Sequence, residues 1–255
     1  MRENTILVTG ASRGIGRSIA KAFADDQSTL ILAARRAENL DTLVDELTAA
    51  GVSATAAGAD LADASSVDRF CRETLASQRV DVLVNNAGIA ESAKLSETDD
   101  DLWERHLDVN LTAAFKLCRA VLPGMQRRGF GRIINIASTA GKVGYKYTAA
   151  YCASKHGLIG LTRALALETA TDGVTVNAIC PGFVETDIAR SAIQNIAGKT
   201  GKGEASARRW LAAQSPQNRL IQPEEVASLA LMLASEGAGG INGQAINLDG
   251  GSVFY

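Results

Sequence analysis

Thr5-Ile6-Leu7-Val8-Thr9-Gly10-Ala11-Ser12-Arg13-Gly14-Ile15-Gly16 is the stretch on which the reading of the fold turns. Thr5 to Val8 has the character of a buried strand. Ile15 to Phe23 then carries apolar residues at helical spacing, and three glycines fill the turn between the two. Glycines at such a junction let the backbone approach a pyrophosphate, and the helix start supplies unpaired N–H groups and a positive dipole end. The spacing here is G-x-x-x-G-x-G rather than G-x-G-x-x-G, so by itself the loop is either a phosphate cradle or simply a turn.

The same alternation continues outward. Leu30-Ile31-Leu32-Ala33 reads as a strand, followed by Leu40, Leu43, Val44 and Leu47 at spacings of three and four. Val82-Leu83-Val84, Ile133-Ile134-Asn135-Ile136, Val174-Thr175-Val176 and Ala245-Ile246-Asn247-Leu248 are further strands. Short strands apolar on both faces and separated by helices predict a parallel sheet covered on both sides. With right-handed crossovers this is an α/β, doubly wound, Rossmann-like fold, expected as a single NAD(P)-binding domain over residues 1–255. The irregular stretch is about 189–217, with Gly198, Gly201 and Gly203 among basic residues. It reads either as a lid over the site or as a surface excursion.

Composition narrows the function classes. The chain has 255 residues, 46% hydrophobic and 21% charged, with 24 glycines, 4 prolines and a net charge of −2. That excludes a disordered or collagen-like chain and shows no basic footprint for nucleic acid. No run of about 20 apolar residues suggests a membrane span. Met1-Arg2-Glu3-Asn4 enters a strand at once, leaving no room for a signal peptide. Cys71, Cys118, Cys152 and Cys180 form no C-x-x-C pair, so neither a metal site nor a disulfide framework is expected. The expectation is a cytoplasmic protein.

The end of the second strand bears on the cofactor. An acid there would hold the adenosine ribose 2′-hydroxyl and repel a 2′-phosphate. The chain instead has Ala33-Ala34-Arg35-Arg36, and Arg13 projects from the glycine turn nearby. Arg35 with Arg13 predicts NADP(H); the alternative is that Arg35 and Arg36 are solvated surface residues.

Tyr151 and Lys155 lie one turn apart in the helical run Ala150 to Leu167. A lysine on the same face favours the phenolate and should lower the tyrosine pKa, giving a general acid for a carbonyl oxygen. Ser138 follows the strand Ile133–Ile136, where a hydroxyl points into the cleft of a parallel sheet. Asn110 sits inside the helical stretch Leu102 to Leu122, either as a satisfied buried amide or as part of a proton path. Of the two histidines, His156 lies five positions after Tyr151, about 140° around the helix. Both His106 and His156 are expected to be structural or solvent-facing. Cys152 and Cys180 are expected as small buried fillers.

With these residues in order, the chain resembles the short-chain dehydrogenase/reductase family over essentially its whole length. The motifs are T-G-x-x-x-G-x-G at Thr9–Gly16, Asp60-Leu61, N-N-A-G at Asn85–Gly88, Asn110, Ser138, Tyr151, Lys155, P-G-x-x-x-T at Pro181–Thr186, and Asn247-Leu248-Asp249-Gly250-Gly251. The resemblance implies that Tyr151 is the acid/base, that Lys155 holds the nicotinamide ribose, that Ser138 orients the carbonyl and that Asn110 anchors a relay water. It implies cofactor contacts at Gly10, Ser12, Arg13, Gly14, Ile15, Gly16, Arg35, Asp60, Leu61, Asn86, Ala87, Gly88, Pro181, Gly182, Val184 and Thr186. Asp60 would meet the adenine, while Val184 and Thr186 would bind the carboxamide and phosphate side. It also implies a homotetramer built on the helices around Leu102–Gln126 and Tyr151–Ala170.

Within the family, Cys180–Thr186 and Gln222–Ala227 resemble 3-oxoacyl thioester reductases, and are similar too to the ketoreductases of aromatic polyketide synthesis. Lys199, Lys202, Arg208 and Arg209 against Glu204 give the 189–217 stretch a local +3. That patch either attracts coenzyme A or phosphopantetheine phosphates or is a solvated face. Arg127, Arg128 and Arg132 form a second basic cluster, although Asp172 stands before Gly173 where carrier-protein reductases often have a base. Tyr145 and Tyr147 either stack on a substrate ring or pack the loop and a subunit contact. A 3-oxoacyl thioester is the leading substrate class. A dehydrogenase of cyclic or aryl alcohols, and an NADPH sensor without turnover, stand as alternatives.

Overall fold

The computed structural model describes residues 4–25 and 27–255. The reading of the extreme N-terminus falls on Met1–Glu3, outside the described residues. Seven parallel strands run in the order β3-β2-β1-β4-β5-β6-β7. They are β1 (Asn4–Thr9), β2 (Ser28–Ala34), β3 (Ser53–Gly58), β4 (Val82–Asn85), β5 (Gly131–Ile136), β6 (Val174–Pro181) and β7 (Ala245–Leu248). The helices are α1 (Gly14–Ala22), α2 (Asp41–Ala49), α3 (Ala64–Phe70), α4 (Asp100–Leu107), α5 (Ala113–Arg128), α6 (Ala149–Glu168), α7 (Asp187–Thr200), α8 (Glu204–Ala212) and α9 (Pro223–Ala234).

Side chains alternate across each strand, so β1 feeds two cores. Ile6 and Val8 pack with Ile19, Leu30, Val226 and Leu233 under α1 and α9. Leu7 packs with Phe70, Leu83, Leu117, Met125 and Ile133 under α3 and α5. Leu7, Leu83 and Leu117 are fully buried, each contributing roughly 1.5–3 kcal/mol. β1 pairs with β2 on one side and β4 on the other. This is the switch point where the chain reverses direction across the sheet, and a crevice opens there at the strands' C-terminal ends.

Three departures from the expected pattern are local. β3 has no counterpart among the expected strands, because Ser53-Ala54-Thr55-Ala56-Ala57-Gly58 is small and largely exposed; its six-residue pairing with β2 alone makes it a strand. The stretch 189–217 is not irregular: most of it lies in α7 and α8, joined at Gly201, whose φ is +67°. Ala189, Ile193, Ala207, Leu211 and Leu220 form its own small core. The Leu102–Leu122 run is interrupted by a π-helical turn, Asp108–Thr112, which widens the helix around Asn110.

Candidate active site

Ser138 stands just past the end of β5 in extended conformation, φ −176°. Its Oγ accepts from the Ala140 N–H at 3.0 Å, capping the turn Thr139–Gly141. A Cβ on Gly141 would fall 2.7 Å from the Lys155 carbonyl oxygen and 2.8 Å from Ile159. The turn therefore lies directly on α6 and brings the Ser138 hydroxyl toward the Tyr151 phenol, on which it acts to lower the pKa.

Lys155 is buried, 4% exposed, and its Nζ donates to the Ile136 carbonyl at 2.8 Å. It stands 5.8 Å from the centre of the Tyr151 ring. The expected lowering of the Tyr151 pKa is not what this arrangement gives. Burial pushes the phenol up, with the Ser138 hydrogen bond pulling the other way. Burial also pulls Lys155 down to about 8. Desolvation disfavours both charged forms and is the largest cause of each shift.

Asn110, 2% exposed, is a satisfied amide. Oδ1 accepts from the Ile89 N–H at 2.9 Å, while Nδ2 donates to the Ile89 carbonyl at 3.0 Å and to Ser154 Oγ at 2.9 Å. It thus ties the segment after β4 to α6. A Cβ on Gly88 would lie 3.1 Å from Asn110 Oδ1 and 3.4 Å from Lys155 Nζ. Only glycine leaves the space in front of that ammonium open. Asn110, Ser138, Tyr151 and Lys155 are brought together, as the sequence predicts.

The predicted cofactor residues line the same crevice. Arg13 caps α1 without a side-chain hydrogen bond to the helix, leaving first-turn N–H groups directed at the loop. Asn86 Nδ2 donates to the carbonyls of Thr9 at 2.8 Å and Gly10 at 3.2 Å, fixing Asn86-Ala87-Gly88 against the glycine turn. Gly14 faces Thr186, whose methyl would lie 3.2 Å from an added Cβ. Thr186 caps α7 in extended conformation, two residues after buried Val184. Pro181 ends β6, and the Gly182 N–H donates to the Leu248 carbonyl at 3.1 Å. Asp60 and Leu61 are half-buried beyond β3, with Asp60 Oδ1 accepting from the Ala62 N–H at 3.1 Å. Ser12 and Ile15 are half-buried in the turn itself. These residues fit a dinucleotide: a glycine-lined turn, a helix start without a side-chain cap, and Gly88, which puts no side chain against the Lys155 ammonium. Arg35 is exposed just past β2, and Arg13 is exposed but ion-paired with Asp187 at 3.1 Å.

The basic tracts change meaning in three dimensions. Arg208 forks onto the Glu185 carboxylate, which reduces the positive patch of α7 and α8. Arg128 reaches the Val80 carbonyl at 2.6 Å and Asp81 at 3.3 Å, and Arg132 is buried. Both sit at the N-terminal edge of β5, opposite the site, and hold the fold together. Cys180 is buried as expected, but Cys152 is only half-buried. His156 is exposed, whereas His106 is fully buried with its ring 6.3 Å from that of Tyr151.

A pocket of about 310 Å³ opens beside Thr139. Tyr145, Phe183, Ile221, Phe254 and Tyr255 are among its walls. Tyr145 is held there by a 2.9 Å hydrogen bond between its hydroxyl and Thr139 Oγ1 and by an edge contact with Phe183. Tyr147 points outward, 59% exposed. The contribution of Phe254 and Tyr255 is not legible in sequence. Buried Asp249 brings them, its carboxylate accepting from the N–H groups of Gly251, Ser252 and Val253.

The family model described as short chain dehydrogenase matches residues 4–197. A 3-oxoacyl-[acyl-carrier-protein] reductase of Synechocystis sp. is 40% identical over 98% of this chain and 96% of its own. A D-beta-hydroxybutyrate dehydrogenase of Cupriavidus necator is 39% identical over 98% of this chain and 97% of its own. The crystal structure of a tryptophan variant of actinorhodin polyketide ketoreductase with NADPH superposes with a TM-score of 0.93 at 40% identity, covering 99% of this chain and 98% of that one.

Proposed function

The chain belongs to the short chain dehydrogenase family, and from that premise we propose an NADP(H)-dependent ketoreductase that interconverts a ketone and a secondary alcohol, with 3-oxoacyl thioesters as its substrate class. The observation that carries the reading is the convergence of Ser138, Tyr151 and Lys155 at the C-terminal ends of the strands, beside the Tyr145–Phe183 pocket. Relatives named for 3-oxoacyl and hydroxybutyrate chemistry support the substrate class. NADP(H) rests on exposed Arg35 and Arg13 near the glycine turn, and on NADPH in the similar ketoreductase.

NADPH bound along the glycine turn supplies the hydride. Gly10, Ser12, Gly14, Ile15 and Gly16 hold its pyrophosphate, and Arg13 with Arg35 its 2′-phosphate. Asp60 and Leu61 meet the adenine side, Asn86, Ala87 and Gly88 form one wall, and Pro181, Gly182, Val184 and Thr186 the nicotinamide side. Ser138 and Tyr151 hold the carbonyl oxygen, so the charge that develops there meets two hydroxyls already in place. Tyr151 gives its proton to that oxygen. Lys155 steadies the phenolate that remains and holds the ribose. Asn110, spanning Ile89 and Ser154, positions the path by which the proton is replaced. α7 and α8, which make up most of residues 189–217, serve as a lid over the thioester arm.

A second reading, a dehydrogenase of cyclic or aryl secondary alcohols, is favoured by the aromatic walls Tyr145, Phe183, Phe254 and Tyr255. Loss of NADPH absorbance with acetoacetyl-coenzyme A, run beside NADH and beside acetophenone, decides. Rapid turnover of the thioester with NADPH alone supports the proposal, and turnover confined to acetophenone supports the second reading. NADPH binding with no turnover of any ketone would point to a sensor. The proposal includes a homotetramer in the cytoplasm. Trp103, Phe115 and Leu167 are apolar, 39%, 41% and 81% exposed on α4, α5 and α6, and suit a subunit contact. No described helix is long and apolar enough to cross a membrane.

A further inference from the structure

His106 is buried within a helix that otherwise faces outward, and its partners fix its protonation. Nδ1 lies 2.8 Å from the Leu102 carbonyl, which can only accept. Nε2 accepts from the Glu91 N–H at 3.1 Å, which can only donate. The ring is therefore neutral with its proton on Nδ1.

Its position repeats that of Asn110 one turn away. Asn110 grips the 88–93 segment at Ile89 and touches α6 at Ser154. His106 grips the same segment two residues on, at Glu91, and touches α6 at Tyr151, with the rings edge to face at 73°. Two residues four apart thus meet an i, i+3 pair on α6 across a connecting segment whose own contact residues are two apart. The segment continues to Ala93, whose N–H donates to the Tyr147 carbonyl at 2.9 Å. Tyr147 is held at φ +67°, a conformation costly for an aromatic residue, immediately before α6 begins. An external bond there helps to keep it.

We propose that His106 is a positioning residue for Tyr151, acting as a second clamp beside Asn110 that joins α4, the 88–93 segment and the start of α6. The inference rests on the reading of Tyr151 as the acid/base. Its role is steric and directional, and no proton passes through it. The imidazole sets where the phenol lies and, through Glu91 and Ala93, holds the loop that carries Tyr145 and Tyr147 in register.

The test compares His106→Leu, which keeps bulk but loses the acceptor, with His106→Gln, which restores an acceptor near Nε2. Each is assayed for kcat, KM for NADPH and amide exchange at Glu91 and Ala93. His106→Leu should lower kcat about tenfold, leave the KM for NADPH unchanged and speed exchange at both amides about tenfold. His106→Gln should recover kcat to within about threefold and restore protection. A folded Leu variant with wild-type kcat overturns the proposal, as does a loss of kcat with both amides still protected. If the Leu variant does not fold, Gln decides: a tenfold loss of kcat with the Glu91 amide still protected, or wild-type kcat with it unprotected, overturns the proposal, while joint loss or joint recovery of both supports it. Tyr151→Phe, run in parallel, tests the underlying reading: if it retains turnover, the acid/base assignment fails while the exchange data still judge the clamp.

Discussion

Lys155 faces Tyr151 across 5.8 Å from ammonium to ring centre, yet gives its hydrogen bond to the Ile136 carbonyl at 2.8 Å. The pair therefore titrates as two buried groups, with the phenol raised and the ammonium lowered to about 8. Ketone reduction consumes the protonated phenol and should hold its rate well into the alkaline range. Alcohol oxidation needs the phenolate and should climb with pH. The lysine is already neutral where the raised phenol ionises, so Lys155→Met should leave the oxidation limb in place while reduction near pH 7 falls about a hundredfold or more. Profiles of kcat against pH in both directions check this; an oxidation limb displaced in the variant would contradict it.

The same lysine should cost the protein stability. Below about pH 8 the folded and unfolded chains both carry its proton, and the penalty of burying the charge is fully present. Between about 8 and its ordinary 10.5 the unfolded chain binds more protons, so stability rises with pH. The shift corresponds to roughly 3 kcal/mol. Lys155→Met removes that penalty but leaves the buried Ile136 carbonyl without a donor, which costs about 1–3 kcal/mol. The net expectation is a gain of about 1 kcal/mol at pH 7 that disappears by about pH 10. Denaturant unfolding at both pH values measures it; a variant less stable than wild type at pH 7 would refute the assignment.

Six of the seven strands and the four catalytic candidates are legible in the sequence because their signals are local. Buried strands read as apolar runs, and Tyr151 and Lys155 share a face by helical spacing alone. β3 is illegible because its residues bury little and only the neighbouring strand makes it one. Residues 189–217 look irregular because Gly198, Gly201 and Gly203 mask the pattern. Only Gly201, at φ +67°, ends a helix, while Gly198 lies inside one. The direction of the Tyr151 shift escapes the sequence because spacing gives the lysine's face but neither its burial nor where its ammonium points. The place of His106 escapes it too, because nothing in its neighbours along the chain shows a ring from another helix against it.

Arg35 stands exposed past β2, with no ion-pair partner among the described residues, whereas Arg13 is already engaged by Asp187. A charge-assisted hydrogen bond to phosphate is worth about 1.5–3 kcal/mol. Arg35→Ala should therefore raise the KM for NADPH about ten- to a hundredfold and leave that for NADH nearly unchanged. Asp187→Asn should act oppositely, freeing Arg13 and lowering the KM for NADPH up to about fivefold, since an exposed ion pair holds it by under about 1 kcal/mol. Steady-state kinetics with both cofactors separate the two arginines, and equal effects on NADH and NADPH would defeat the 2′-phosphate assignment.

Two glycine replacements should have opposite outcomes for reasons visible in the structure. A Cβ on Gly16 would lie 2.2 Å from the Gly10 carbonyl oxygen and 2.5 Å from Asn86 Nδ2. Neither can give way without moving the turn, because Asn86 is bonded to the carbonyls of both Thr9 and Gly10. Gly16→Ala should lower stability by about 1–3 kcal/mol and weaken NADPH binding by at least about tenfold. Gly198 lies inside α7 with nothing within 4 Å of an added Cβ. There alanine only narrows the freedom of the unfolded chain, and Gly198→Ala should raise stability by about 0.5–1 kcal/mol with cofactor binding intact. Thermal unfolding with and without NADPH reads both. A Gly16→Ala protein that still gained wild-type stabilisation from NADPH would show that the turn does not hold the pyrophosphate.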